Sequence, residues 1–319
     1  MSRKQIELAI AMKRHQEEEP IQSTLFEMDK VDETSTRLQQ IARPFEIPGA
    51  RILLGTSSFT ASGWEGSFYP KGMRSSDYLA FYATQFPTVE VDSTFYRCPS
   101  ANTVNNWSAR TPEDFIFCVK VPQIITHEKV LVDCEPEFEE FVKTMDILGP
   151  KLGPMMFQFP KFDRWKFPKP DSFLAVLEPF LKKLPADHKF VIEIRNKTWL
   201  DAKLADVVRE HNVALALTDT SFMPRPWELK QKFDLVTADF GYVRWLGDRK
   251  QIEKLTATWD KTVVDRTSDL RNWVDLLREM VMNKKLRKLF AFANNHYAGH
   301  GPATVKMFID LWEKKKGIP

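Results

Sequence analysis

Eight short apolar runs, each followed by a loop and most then by an amphipathic stretch, recur from residue 51 onward and admit few architectures. The runs cover residues 52–54, 89–91, 115–121, 155–159, 190–194, 213–217, 242–245 and 289–292. Helical periodicity fills most of the intervals, over 75–86, 103–109, 137–148, 172–184, 200–211, 269–284 and 302–315. Ser75 and Asp269 suit helix N-caps, and Pro302 suits a first helical turn. The interval 223–235 carries prolines and reads as a loop. Strands buried on both faces, alternating with helices over about 265 residues, predict one (β/α)8 TIM barrel of the α/β class. A doubly wound open sheet is the alternative, but no GxGxxG follows a run, so a dinucleotide fold has no support.

The first 48 residues differ in composition. They lack Trp and Tyr and carry the clusters Lys13-Arg14-His15 and Glu17-Glu18-Glu19. They read as an extension, partly helical over 3–19 or disordered, that ends in a linker before a barrel domain over 49–319. Charges interrupt the apolar stretch at 6–12, so it lacks the core of a signal peptide, and no run approaches a membrane span. Cys98, Cys118 and Cys134 show no CxxC spacing, which disfavours a disulfide framework or thiolate zinc site. The expectation is a cytoplasmic chain. Its net charge of +3 is too near neutrality to indicate nucleic acid in bulk.

In such a barrel the carboxyl ends of the strands form the reactive mouth. Here they carry Thr56 and Ser57, Glu90 and Asp92, Lys120, Gln158, Glu193 and Arg195, Asp219, Arg244, and Asn294 and Asn295. Side chains alternate along a strand, so Glu90 shares a face with Asp92, and Glu193 shares one with Arg195. Acidic residues inside buried runs are costly unless paired or wet. The ring therefore reads either as a site or as a neutralised plug of ion pairs, with Glu90 and Arg195 the expected structural pair. As a site, it assigns Glu193, Asp92, Glu90 and Lys120 to catalysis. Arg195, Arg244, Gln158, Asn294, Asn295, Asp219, Thr56 and Ser57 would bind substrate.

Gly299-His300-Gly301 opens the last helix and follows strand eight, where barrels often bind phosphate on free backbone N–H groups. The glycines also serve simply to shape a turn. His127, in the sequence ITHE after strand three, is either a mouth residue or a capping group. No compact ligand spacing supports a resident metal, and no cofactor is expected.

At these strand ends the sequence resembles the YecE-like family, a TIM-barrel domain family of unknown function. The matching segments are GTSSFTASGWEGSFYP (55–70), TVEVDSTFYRCP (88–99), FIFCVKVPQIITHE (115–128), LGPMMFQFP (152–160), VIEIRNKTW (191–199), YVRWLG (242–247) and ANNHYAGHGPA (293–303). The resemblance implies the barrel but transfers no reaction. Glu90, Lys120, Gln158, Glu193, Arg195, Arg244 and Asn294 match the family's pattern. Ser58, Phe59 and Ala61 replace its usual Gly, Trp and Tyr, Leu246 stands in place of a His, and His296 in place of an Asp. An Asn is common where Asp92 stands.

The leading expectation is an enzyme, a hydrolase, lyase or isomerase, that uses general acid/base chemistry on a small anionic, even phosphorylated, substrate. Glu193 and Asp92 would be the acid/base pair. The alternatives are a nucleic-acid-processing barrel, with or without metal assistance, and a barrel that binds an anion without turning it over. Gln22, Leu25 and Phe26 resemble a Gln-x-x-Leu-Phe peptide that docks bacterial DNA-processing proteins on the sliding clamp. That peptide would recruit the nucleic-acid-processing form.

Overall fold

The computed structural model describes residues 45–47 and 50–315. The expected helix at 3–19 and the clamp-like residues Gln22, Leu25 and Phe26 lie outside the described residues. Strand β1 (Phe45–Ile47) pairs antiparallel with β2 (Ala50–Thr56), with Phe45 opposite Ile52. Seven more strands follow: β3 (Thr88–Val91), β4 (Ile116–Lys120), β5 (Leu152–Gln158), β6 (Phe190–Glu193), β7 (Ala214–Thr220), β8 (Phe240–Gly247) and β9 (Lys288–Ala293). From β2 the order runs β2-β9-β8-β7-β6-β5-β4-β3, all parallel. The eight parallel strands form a nearly closed (β/α)8 barrel, and each coincides with one of the eight runs read from sequence.

A seam remains between β2 and β3, and one phenol bridges it. The Tyr82 hydroxyl accepts the Thr56 N–H at 2.8 Å and donates to the Thr88 carbonyl at 3.2 Å. Gly55 lets the strands approach: a Cβ there would lie 2.1 Å from the Thr88 oxygen.

Alternation sorts the apolar residues into two layers. Leu53, Cys118, Met156, Val191, Ala216 and Phe290 fill the barrel interior. Ile52, Val89, Val119, Phe157, Ile192 and Val243 face the helices. The larger surrounding helices are α1 (Tyr78–Gln85), α2 (Ala101–Ala109), α3 (Glu135–Met145), α4 (Pro170–Leu181) and α5 (Ala202–Glu210). One-turn helices α6 (Pro226–Leu229) and α7 (Arg249–Ile252) precede α8 (Thr267–Met280), then α9 (Asn295–Ala298) and α10 (Gly301–Lys314). The stretch expected as a loop at 223–235 thus contains α6.

Helix starts correct two expectations. Ser75 opens a 3-10 turn that Arg74 precedes without a side-chain cap, and Asp269 lies inside the first turn of α8 beside Arg266 at 3.3 Å. Working side-chain caps come from Ser100, Asp201 and His300. Pro302 occupies the first turn of α10 as expected.

Candidate functional site

The interior face of each strand continues past the apolar layer into the mouth. Tyr242 on β8 sits in the interior layer, so Arg244, two residues on, points the same way. Arg244 is the hub of the floor. Its Nε lies 3.0 Å and its Nη2 2.7 Å from Glu90 Oε1, and Nη1 lies 2.6 Å from Glu193 Oε2. Nη2 also reaches Asp92 Oδ1 at 3.3 Å, and the Tyr242 hydroxyl donates to Glu90 Oε2 at 2.6 Å. Glu90, Glu193 and Arg244 are 0%, 1% and 2% exposed, so these charges are tolerated only because each is paired and hydrogen-bonded.

The two glutamates diverge. Burial raises the Glu193 pKa, but the Arg244 and Arg195 guanidiniums outweigh it and hold that carboxyl at about 2. Burial pushes Glu90 up, and the Asp92 charge adds to this against the pull of Arg244. Burial opposes charge on Arg244 as well, yet Glu90, Glu193 and Asp92 keep its pKa well above the ordinary value. The expected Glu90–Arg195 pair does not form. Arg195 Nε instead bonds Glu193 Oε1 at 3.0 Å, because the two side chains are neighbours on one strand face while Arg244 reaches Glu90 across the barrel.

Above this floor, on the β3-to-β6 side, several groups keep solvent access. Lys120 Nζ lies 3.0 Å from Gln158 Oε1, 3.3 Å from Asp92 Oδ1 and 4.4 Å from the Phe95 ring centroid. The Asp92 side chain is 30% exposed and that of Arg195 33%. Only the Nε of Arg195 is engaged among the described residues, which leaves its terminal nitrogens as unfilled donors. His127 joins this group, packed edge-on to Phe95 at 4.9 Å with Nδ1 2.9 Å from the Thr126 hydroxyl. Burial and the nearby charges of Arg195 and Lys120 lower its pKa, so the imidazole is neutral near pH 7. His127 stands in a π-helical turn, Ile124–Glu128, followed by left-handed Val130, Leu131 and Asp133. Such backbone departures concentrate at functional positions.

The β7-to-β9 side is different. Asp219 has the opposite parity to the inward Ala216 and turns away from the mouth, which corrects its assignment to substrate binding. Its carboxylate accepts from Trp273 Nε1 at 2.8 Å and Tyr297 OH at 2.9 Å and pairs with Arg225. The Thr56 hydroxyl is engaged at the seam with Tyr82 and the Ser58 carbonyl. The Asn294 Oδ1 caps the His296 N–H at 2.9 Å, and Asn295 Oδ1 accepts from Trp64 Nε1 at 3.1 Å and Gly301 N at 2.8 Å.

The expected anion site at Gly299-His300-Gly301 is filled by the chain itself. His300 Nδ1 accepts the Ala303 N–H, the His300 carbonyl takes the Thr304 N–H, Asn295 takes that of Gly301, and Pro302 has none. No first-turn donor is left for a phosphate. The glycines are steric: a Cβ on Gly299 would meet the Lys261 oxygen at 2.6 Å, and one on Gly247 the His296 oxygen at 2.3 Å. Idle groups on this side are the buried Ser57 Oγ, Thr220 Oγ1 and Trp245 Nε1, which have no hydrogen-bond partner among the described residues.

Sequence reading left His127 undecided and overlooked Tyr242 and Trp64. For Tyr242 the signal was available, since it shares the Arg244 face. Among the described residues no three His, Cys, Asp or Glu side chains converge as metal ligands, and no helix is long and apolar enough to cross a membrane.

Comparison with known proteins agrees with the fold. The family model described as "Protein of unknown function DUF72" matches residues 53–318. The UPF0759 protein YecE of Escherichia coli K12 is 33% identical over 119 residues, 37% of this chain and 41% of that protein. The UPF0759 protein YunF of Bacillus subtilis is 32% identical over 146 residues, 43% of this chain and 50% of that protein. The matched stretch thus spans half or less of the length of these relatives. A crystal structure of a DUF72 family protein from Thermotoga maritima superposes with a TM-score of 0.63 at 23% identity, covering 84% of this chain and 99% of that one. One from Enterococcus faecalis gives 0.60 at 20% identity, covering 82% and 95%. At such identities these structures speak to the fold alone.

Proposed function

The chain belongs to the DUF72 family of proteins of unknown function, and from its own site we propose an enzyme that binds the anionic group of a small substrate and transfers a proton beside it. The observation that carries the reading is Arg195, tethered by Nε to a buried carboxylate while its terminal nitrogens stay unfilled at the mouth. A guanidinium fixed in this way is preorganised for a carboxylate, sulfate or phosphate. Lys120, held by Gln158 and Asp92, supplies the second positive charge.

Proton transfer falls to Asp92 and His127, which border these cations and reach solvent. Glu193 does not suit the acid/base role: at a pKa of about 2 it is ionised throughout the physiological range and is a weak base. It serves with Glu90 and Arg244 as a fixed floor that orients Arg195. Such a floor neutralises charge without moving during reaction, which is the condition for electrostatic preorganisation. The arrangement fits hydrolase, lyase or isomerase chemistry.

The test is thermal unfolding of the full chain in rising sulfate. Saturation at about 100 times Kd stabilises by about 2.7 kcal/mol, a rise of about 5 °C or more for a domain of this size. The rise should vanish in Arg195→Gln. An equal rise in that variant sinks the assignment.

A further inference from the structure

The rim next to Arg195 carries a second surface. The loop after β5 reads Lys161-Phe162-Asp163-Arg164-Trp165-Lys166-Phe167, and Trp165 is 95% exposed at its tip. Its neighbours sort cleanly. Phe162 and Phe167 turn down and are buried with Phe173 and Trp199, Phe162 stacking on Trp199 at 5.9 Å. Asp163 is itself exposed, its Oδ1 accepting the Trp165 N–H at 3.0 Å and the Lys166 N–H at 2.8 Å. Lys161, Arg164 and Lys166 are exposed, and none has an ion-pair partner among the described residues. The loop's only carboxylate is engaged in setting the turn, and the exposed loop presents one indole with three cations against that single acid.

This face continues into the mouth. Asn196 clamps the loop through both of its amide atoms, Oδ1 from the Phe162 N–H and Nδ2 to the Phe162 carbonyl, each at 2.8 Å. Asn196 stands between exposed Lys197 and Arg195. The clamp therefore brings the loop of Lys161, Arg164 and Lys166 beside the segment of Lys197 and Arg195, a basic arc at the rim. Trp165, 95% exposed at the loop tip, offers a free indole face on which a flat partner can stack.

We propose that this arc binds single-stranded nucleic acid, with a base stacked on Trp165, the backbone on Lys161, Arg164, Lys166 and Lys197, and a phosphate or terminal group delivered to Arg195. The inference rests on the anion-binding reading of Arg195 and names the substrate class for that site. Stacking plus a cationic track is how sequence-tolerant single-strand binders work. A membrane surface fits less well, because both other aromatics of the loop are buried and one ring amid cations offers little apolar area to insert.

The test measures binding of a fluorescein-labelled oligothymidylate and an oligouridylate, each of twelve nucleotides, to the full chain by anisotropy at low salt. Binding to either supports the proposal, the tighter one naming DNA or RNA. Trp165→Ala should weaken it about tenfold or more. The Arg164→Gln/Lys166→Gln double variant should flatten the slope of log K against log salt by about 1 to 1.4. Both variants replace exposed side chains, so loss of fold does not confuse the outcome. No binding at about 50 mM salt, binding indifferent to Trp165→Ala, equal affinity for a duplex, or preference for phosphatidylserine vesicles or polyglutamate would each overturn it. The sulfate experiment separates the two readings: oligonucleotide binding can fail while sulfate still responds to Arg195→Gln, and the converse result removes the anion site but keeps the arc.

Discussion

Two halves of one barrel mouth carry similar residue types and behave oppositely. On the β3-to-β6 side, Asp92, Lys120, His127 and Arg195 stand above a buried floor and keep donors or acceptors unfilled. On the β7-to-β9 side, Asp219, Asn294, Asn295 and His300 are engaged within the protein, as caps or as anchors for Trp64, Trp273 and Tyr297. Polar residues at a strand end are therefore not equivalent. Parity decides whether a group enters the mouth, and local backbone N–H groups compete for it if the next element is a helix start.

The floor offers the largest way to break this contrast. Arg244→Met leaves Glu90 and Glu193 buried without their common partner. Removing one member of such a network costs about 3 to 5 kcal/mol, so urea unfolding should show a loss of that size or no folded protein. A loss under about 1 kcal/mol would mean that the floor is wet and part of the site. Next comes Asp219→Ala. It strands Trp273 Nε1, the Tyr297 hydroxyl and Arg225, for a loss of about 2 to 3 kcal/mol. Its sulfate response should be unchanged, because its carboxylate serves the helix layer. Asp92→Ala should do the reverse, with a small effect on stability and a changed sulfate response. If the two variants behave alike, the halves are not distinct.

How much of this was legible follows from the same physics. The eight strands were readable because burial on both faces imposes apolar runs. Glu90 and Glu193 were readable as inward because Glu90 breaks its run at the parity opposite to Val89 and Val91, and Glu193 at the parity opposite to Ile192 and Ile194. Asp219 was misread because Thr218-Asp219-Thr220 is polar at both parities, and only counting from the small interior residues Ala214 and Ala216 resolves it. The Tyr82 seam and the choice of Arg244 over Arg195 as partner of Glu90 depend on distances across the barrel, which no local pattern encodes. His300 had a local signal: Pro302 two residues later removes one donor and marks the preceding positions as the cap.

That cap gives a smaller, pH-dependent contrast. Burial lowers the His300 pKa from 6.5 to about 4, so the folded chain keeps this imidazole neutral while the unfolded chain protonates it below about 6.5. Its contribution is therefore complete above that pH and is lost progressively as pH falls towards about 4. Asparagine is a strong cap that does not titrate. In His300→Asn the stability difference between pH 7 and 4.5 should shrink by about 2 kcal/mol, measured by urea midpoints. An unchanged difference would place the acid sensitivity elsewhere.

His127 supplies the finest test, because it sits on the open half and responds to what occupies it. In the free protein its pKa is lowered by burial, then by Arg195 and Lys120, so it is neutral at pH 7 and the unfolded state binds the extra proton first. An anion placed between those cations cancels part of their repulsion and raises the His127 pKa. Linkage then requires that anion binding takes up a proton and that affinity rises as pH falls. Sulfate does not titrate in this range, which leaves the protein as the source of any slope. From pH 7 to 5 the sulfate affinity should rise about threefold to tenfold in the wild type and stay flat in His127→Gln. Glu193, held ionised at about 2, contributes nothing over that interval. A slope that persists in His127→Gln would transfer the linked proton to another group of the protein and would leave the imidazole as packing for Phe95.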